Sequence, residues 1–210
     1  MRIGARSAEI NDRPPRICHF LFFIVCYNKY MQSYEIAVFG GGCFWCMEAI
    51  FKSIRGVASV MPGYAGGHTD SPSYAEVSSG KSGHVEVVCI EYDPAHISFK
   101  NLLTIFFATH DPTTRDRQGN DVGSQYRSVV FYMNDVQRRE IEEMIANLNA
   151  ESSEGRPIIT EVRRFEKFYE AEHYHHNYYE KNKSQSYCQL VINPKLERLQ
   201  KQFEEFLVRS

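Results

Sequence analysis

Apolar positions along this chain switch between two periods, and the switches mark out its elements. Glu35 to Phe39 (Glu-Ile-Ala-Val-Phe) is a short apolar run ahead of the glycines at 40–42, which predicts a buried strand. Met47, Ile50, Phe51 and Ile54 then recur at helical spacing, so a helix is predicted over about 43–55, with a strand after it over 57–61. The glycine-, proline- and serine-rich stretch from Pro62 to Gly83 reads as a loop. Apolar residues return over 84–92 as a strand, Ser98 is placed to N-cap a helix ending at Thr109, and 127–133 reads as another strand. A helix over about 135–149, a strand near 158–162, a tyrosine- and histidine-rich polar segment and a C-terminal helix from about Pro194 complete the pattern.

The order β-α-β, β-α-β predicts an α+β fold. We expect a ferredoxin-like α/β plait of two layers: a mainly antiparallel sheet, helices packed on one face, and an irregular C-terminal extension. Residues 34–210 are expected to form a single domain, with 165–210 as its C-terminal segment. The loops at 62–83 and 110–126 are long for a compact domain, and long ordered loops are often functional. Residues 1–33 read as an N-terminal extension. Its apolar run from Ile17 to Tyr27, preceded by Arg13 and Arg16, resembles a signal-peptide core, but His19 interrupts it and no small-residue cleavage site follows. The run is too short to span a bilayer as a helix. Met31 is the expected authentic start.

Charge narrows the function. With 24 Lys+Arg against 26 Asp+Glu the net charge is −2, which gives no footprint for nucleic acid or an anionic membrane. The six cysteines (18, 26, 43, 46, 89 and 188) are too few and too irregular for a disulfide-stapled secreted scaffold of this length. A reducing compartment follows, so a cytoplasmic monomer is expected, with Cys89 a small core residue of its strand.

Three segments carry candidate chemistry. Gly40-Gly41-Gly42-Cys43-Phe44-Trp45-Cys46 delivers a cysteine to the start of the first helix, where orphan N–H groups and the helix dipole favour an anion. Cys43 is therefore expected to be a thiolate, with Phe44 and Trp45, the one tryptophan of the chain, walling an apolar pocket beside it. Glu86 interrupts an apolar strand, so burial should raise its pKa and keep it protonated, unless the strand lies at an edge in solvent. The loop 118–128 carries Asp121 and Tyr126 into a strand and by itself suits a structural turn.

Taken with Pro72-Ser73-Tyr74, Gly83-His84-Val85-Glu86, Ala171-Glu172-His173-Tyr174-His175 and Tyr187-Cys188, these segments make the chain closely similar to the peptide-methionine (S)-S-oxide reductase family, methionine sulfoxide reductase A. The match runs over roughly 34–192. The resemblance implies that Cys43 attacks the sulfoxide sulfur, that Glu86 gives the oxygen its proton, and that Tyr74 and Tyr126 hydrogen-bond that oxygen. It further implies that Phe44 and Trp45 cage the methyl group, with Asp121 and Tyr179 at the rim. A sulfoxide is a poor electrophile until its oxygen is protonated, and its reduction leaves a sulfenic acid on the cysteine. A second thiol must then condense with it. Cys188, expected in a mobile polar segment, matches the usual resolving cysteine. Cys46 is the alternative, and the expectation favours Cys188 because a helical i, i+3 pair meets only if its turn relaxes.

Thioredoxin is the implied partner and electron source, free or protein-bound methionine sulfoxide the implied substrate, and no metal or cofactor is implied. Two other readings compete. Cys43-x-x-Cys46 also suits a thioredoxin-like disulfide oxidoreductase, although Phe-Trp is bulky between its cysteines. A zinc module from Cys43, Cys46 and two of His173, His175 and His176 has a suitable C-x-x-C half, but its histidines lie far away without the finger's distance, and they read instead as a solvated helix face with one His hydrogen-bonded to the core.

Overall fold

The computed structural model describes residues 33–152 and 155–208, so the expectations for the N-terminal extension and for Met31 as a start fall outside the described residues. The chain runs β1 (Glu35–Gly40), α1 (Phe44–Lys52), β2 (Val57–Ala65), α2 (Tyr74–Ser78), β3 (Val85–Tyr92) and α3 (Phe99–Thr109). A small hairpin of β4 (Arg117–Gln118) and β5 (Asp121–Val122) leads to β6 (Val129–Tyr132) and α4 (Asp135–Glu151). β7 (Glu161–Arg164), β8 (Phe168–Glu170), α5 (Tyr178–Lys181), a π-helical turn (Cys188–Ile192) and α6 (Asn193–Gln202) follow.

Six strands form one mixed sheet in the order β7-β6-β1-β3-β2-β8, antiparallel throughout except for the parallel β6–β7 pair. The period-2 alternation divides its strands between two faces. Phe39, Val88, Ile90 and Val130 pack with Ile50 and Phe51 of α1 and Leu102, Leu103 and Phe106 of α3. Val38, Val85, Val87, Val129 and Phe131 face the other way, against Met133, Phe165 and Phe168. Helices therefore cover one face, and loop and strand side chains cover the other. Phe39 anchors the helical face, its ring centroid 5.6 Å from Phe51 and 5.0 Å from Phe106, contacts that add to the burial term.

Helix starts follow their caps. Ser98 accepts the Asn101 N–H, Asn134 accepts from Val136 and Gln137, and Pro194 stands in the first turn of α6. Three boundaries differ from expectation. β2 continues through Pro62 to Ala65, because Pro62 to Ala65 pair with Val88 to Val85 on one side while Gly63 to Ala65 receive β8 on the other. Gly63 permits that approach: a Cβ there would lie 2.3 Å from the Phe168 ring and 2.4 Å from the Tyr169 carbonyl. β7 lies at Glu161–Arg164 rather than 158–162, set by pairing with β6. The C-terminal segment is not a free polar tail either, since Cys188, Ile192 and Leu199 are buried in the main core. Residues from Tyr34 onward form one compact unit, and among the described residues no helix is long and apolar enough to cross a membrane.

Candidate active site

Cys43 owes its place to a turn that only glycine can make. Gly42 has φ +97°, and a Cβ there would lie 2.8 Å from the side chain of Gln118. Gln118 is itself fixed, accepting the Asp111 N–H at 2.9 Å and donating to the Asp111 carbonyl at 2.5 Å. The long loop after α3 thus supports the turn that presents the thiol. Cys43 stands outside α1 as its N-cap, at φ −60° and ψ 124°, with its carbonyl accepting from the N–H groups of Cys46 and Met47.

Glu86 shares the helical face with Val88 and Ile90 and lies on β3, which is flanked by β1 and β2, so the edge-strand reading is excluded. It is 2% exposed, and its Oε2 accepts the Phe44 N–H at 3.0 Å. Burial raises its pKa to about 8 against the opposing pull of that N–H, with Asp121 and Cys46 adding to the rise. The carboxyl therefore holds its proton at neutral pH, as expected from the strand.

The thiol differs from expectation. Burial, then the hydrogen bond and charge of Cys46, then Glu86, push Cys43 well above the usual thiol range. Cys46 is lowered by the hydrogen bond from Cys43, against its own burial. The resting site thus keeps Cys43 protonated. The reason is local: the first amide of the helix is taken by Glu86, and the dipole that remains does not offset burial.

Aromatic rings surround this pair. Phe44 is fully buried against Tyr64, at 5.8 Å between centroids, and His175, at 4.9 Å. Trp45 stacks on Tyr178 at 3.5 Å and 3° and meets Tyr187 edge-on at 5.8 Å. Tyr74 and Tyr126 are half-buried, and burial, followed by the charges of Glu86 and Cys43, raises both hydroxyls. Tyr187 donates to Asp121 Oδ2 at 2.7 Å, and its oxygen lies 3.8 Å from Cys46 Sγ.

Of the residues expected from the sequence, Cys43, Cys46, Glu86, Phe44, Trp45, Tyr74, Asp121 and Tyr126 come together. Tyr179 does not join them: its hydroxyl donates to Asn193 at 2.8 Å and its ring faces Lys183. Tyr187 lies there instead, edge-on to Trp45 and bonded to Asp121, and in the sequence it stood out only as the residue before Cys188. Cys188 is 0% exposed beneath Tyr187, close enough for the charge of Cys46 to raise it after burial.

Several supports were not anticipated. Glu48, 2% exposed on α1, accepts the N–H groups of Asn177 and Tyr178 and the Lys52 ammonium, so it fixes the turn that carries Tyr178 onto Trp45. Glu172 accepts the Tyr74 N–H and the Tyr64 hydroxyl, both at 2.8 Å. His173 is solvent-facing while His175 is 1% exposed and accepts the Trp45 indole N–H, so the cluster is a solvated face with one core-bonded histidine, as expected. The buried member is the one that the helical period alone did not single out. Among the described residues no group of three or more His, Cys, Asp and Glu side chains is placed to hold a metal ion.

Comparison with known proteins places the chain among relatives. The family model for peptide methionine sulfoxide reductase matches residues 35–207. Peptide methionine sulfoxide reductase MsrA of Chromobacterium violaceum is 54% identical over 173 residues, 82% of this chain and 98% of that protein. Mxr1 of Saccharomyces cerevisiae in reduced form superposes with a TM-score of 0.70 at 32% identity, covering 75% of this chain and 91% of that one. The same yeast protein in complex with Trx2 superposes at 0.50 and 21% identity over 70% of this chain and 86% of that one, a likeness of fold alone. With the motifs in sequence order, the thiol and carboxyl meeting at the start of α1, and relatives this similar along most of their length, the chain belongs to the peptide methionine sulfoxide reductase family.

Proposed function

We propose that this protein reduces the S epimer of methionine sulfoxide, free or within proteins, to methionine. The carrying observation is the Phe44 N–H to Glu86 hydrogen bond, which ties a buried, proton-bearing carboxyl to the helix start that Cys43 caps. The thiolate form of Cys43, reached by loss of its proton to solvent, attacks the sulfoxide sulfur and forms an S–S bond as Glu86 protonates the sulfoxide oxygen. Tyr74 and Tyr126, both held neutral, donate to that oxygen, while Phe44 and Trp45 receive the methyl group and Asp121 with Tyr187 forms the rim. The protonated oxygen then passes from the substrate sulfur to the Cys43 sulfur as the new S–S bond breaks, so methionine leaves and Cys43 is left as a sulfenic acid. A second thiol then attacks that sulfur and releases water, giving a disulfide.

Cys46 and Cys188 are the candidates for the second thiol. The objection to Cys46 was helical geometry, but Cys43 is an N-cap with extended ψ, so the pair is not two residues of a regular helix, and each thiol shifts the other's titration. Cys188 has to leave a fully buried position. We therefore assign Cys46 as the first resolving thiol and Cys188 as the alternative. Thioredoxin is the proposed reductant: it returns both thiols by disulfide exchange and is itself oxidised, and yeast Mxr1 has been solved with Trx2. On this reading no cofactor takes part in the chemistry.

The finer structural calls rest on similar support. The order β6-β1-β3-β2, antiparallel, with α1 and α3 as crossovers, supports a ferredoxin-like plait at the centre of the sheet. We take 34–210 as the single catalytic domain and the cytoplasm as its compartment, the latter supported by four free cysteines among the described residues. Assay of the separate epimers of methyl p-tolyl sulfoxide with dithiothreitol tests the function. Consumption of the S epimer alone, abolished by Cys43→Ser, is the expected result, and equal use of both epimers would overturn it.

A further inference from the structure

The chain spends a buried histidine on its one tryptophan, and the proposed mechanism does not use it. His175 is 1% exposed and enclosed by four rings, with centroids at 4.1 Å for Tyr174, 4.6 Å for Tyr74, 4.9 Å for Phe44 and 5.6 Å for Trp45. Its Nδ1 lies 3.0 Å from the Trp45 Nε1. An indole nitrogen only donates, so Nδ1 must be unprotonated, and a neutral ring then carries its proton on Nε2. Among the described residues that Nε2 has no hydrogen-bond partner, the nearest carboxylate being Glu172 Oε2 at 3.9 Å. A phenylalanine would fill the same space among these rings without an unpaired Nε2. The one thing the imidazole supplies that a phenyl cannot is an acceptor for the indole.

We propose that His175 is a positioning residue for this reaction: by accepting the indole N–H at Nδ1 it fixes the Trp45 ring, stacked on Tyr178, in the orientation that forms the wall of the methyl pocket. The inference rests on the proposed sulfoxide reductase reading, in which that wall selects the substrate. The link spans 130 residues of sequence and joins the first turn of α1 to the segment whose next residues carry Tyr178. Glu172, three residues before His175, holds the backbone of Tyr74, so the same segment braces both sides of the pocket. Burial, opposed by Glu172 and assisted by His176, holds the imidazole below its ordinary pKa, which favours the neutral acceptor form.

The test compares His175→Phe with His175→Asn, whose amide oxygen can replace the acceptor. Loss of a neutral hydrogen bond of roughly 1.4 kcal/mol predicts that H175F raises KM for methyl p-tolyl sulfoxide about tenfold, with kcat little changed and the alkylation rate of Cys43 unaltered. The chain has one tryptophan, so a single indole N–H resonance reports directly: it should move upfield and exchange faster with water in H175F, and return in H175N together with KM. Wild-type KM and indole resonance in H175F would overturn the inference, as would failure of H175N to restore either. If H175F does not fold, nitrogen-15 shifts of the wild type decide alone: Nδ1 must be the unprotonated nitrogen at neutral pH, and a protonated Nδ1 would overturn it. A wild type inactive on sulfoxides would defeat the proposed function and leave the indole readouts intact.

Discussion

Replacing Glu86 with glutamine removes one transferable proton while leaving an oxygen to accept the Phe44 N–H. General acids of this kind contribute about 10²- to 10⁴-fold, or roughly 3–5 kcal/mol of barrier, so single-turnover reduction by E86Q should fall by that factor while substrate affinity changes little. The shape of the pH profile is more discriminating. Glu86 titrates at about 8 and Cys43 well above the usual thiol value, so attack needs a thiolate beside a carboxyl that loses its proton first. The reactive combination is then most populated between the two values. For the free enzyme, kcat/KM should rise with pH to near 8 and fall above the Cys43 value. In E86Q the falling limb belongs to no remaining acid and should vanish. Stability supplies an independent sign. A carboxyl whose folded pKa lies above its unfolded one binds more protons when folded, so its contribution is present at low pH and lost as pH rises from 4.5 through about 8. That loss is at most about 5 kcal/mol, so E86Q should melt higher than wild type at pH 9 and show no such advantage at pH 4. Stopped-flow turnover and calorimetry at both pH values measure these effects. An E86Q that reduces sulfoxide at the wild-type rate, or keeps the descending limb, would refute the assignment of Glu86 as proton donor.

Other outcomes follow from the same geometry. Peptide mapping after one turnover should find Cys43 joined to Cys46, and in Cys46→Ser joined to Cys188; a wild-type product linked solely to Cys188 would reverse the order assigned. Tyr187→Phe removes the donor to Asp121 and should raise KM about three- to tenfold, the worth of one hydrogen bond, whereas Tyr179→Phe should leave KM unchanged. Glu48→Ala leaves two backbone N–H groups and Lys52 without their buried acceptor and should cost about 3 kcal/mol or more, read as a lowered denaturation midpoint. Gly63→Ala forces a methyl into the Phe168 ring and should cost about 1–3 kcal/mol, with hydrogen exchange rising first in β8.

Most of what periodicity can encode was legible. The apolar run over 84–92 identified β3 and put Glu86 in apolar surroundings, and Ser98 marked the start of α3 where its side chain caps Asn101. Other features escaped because their causes lie outside the local sequence. Pro62 and Gly63 read as loop residues by themselves and become strand only because β3 and β8 flank them. The polar composition before Cys188 suggested a loose tail, but the apolar side chains of Ile192 and Leu199 carry it into the core.

The chain alone thus singled out Cys43 and Glu86 and the elements that bear them, since a thiol after three glycines and a carboxyl within an apolar strand are local facts about the sequence. The tertiary structure decided the direction in which Cys43 is shifted, the placing of Tyr187 rather than Tyr179 beside Asp121, and the seat of His175 against Trp45. Each depends on which groups exclude water from a side chain and which donor meets its acceptor. Those quantities arise between residues as far apart as 130 positions and exist only once the sheet has brought them together.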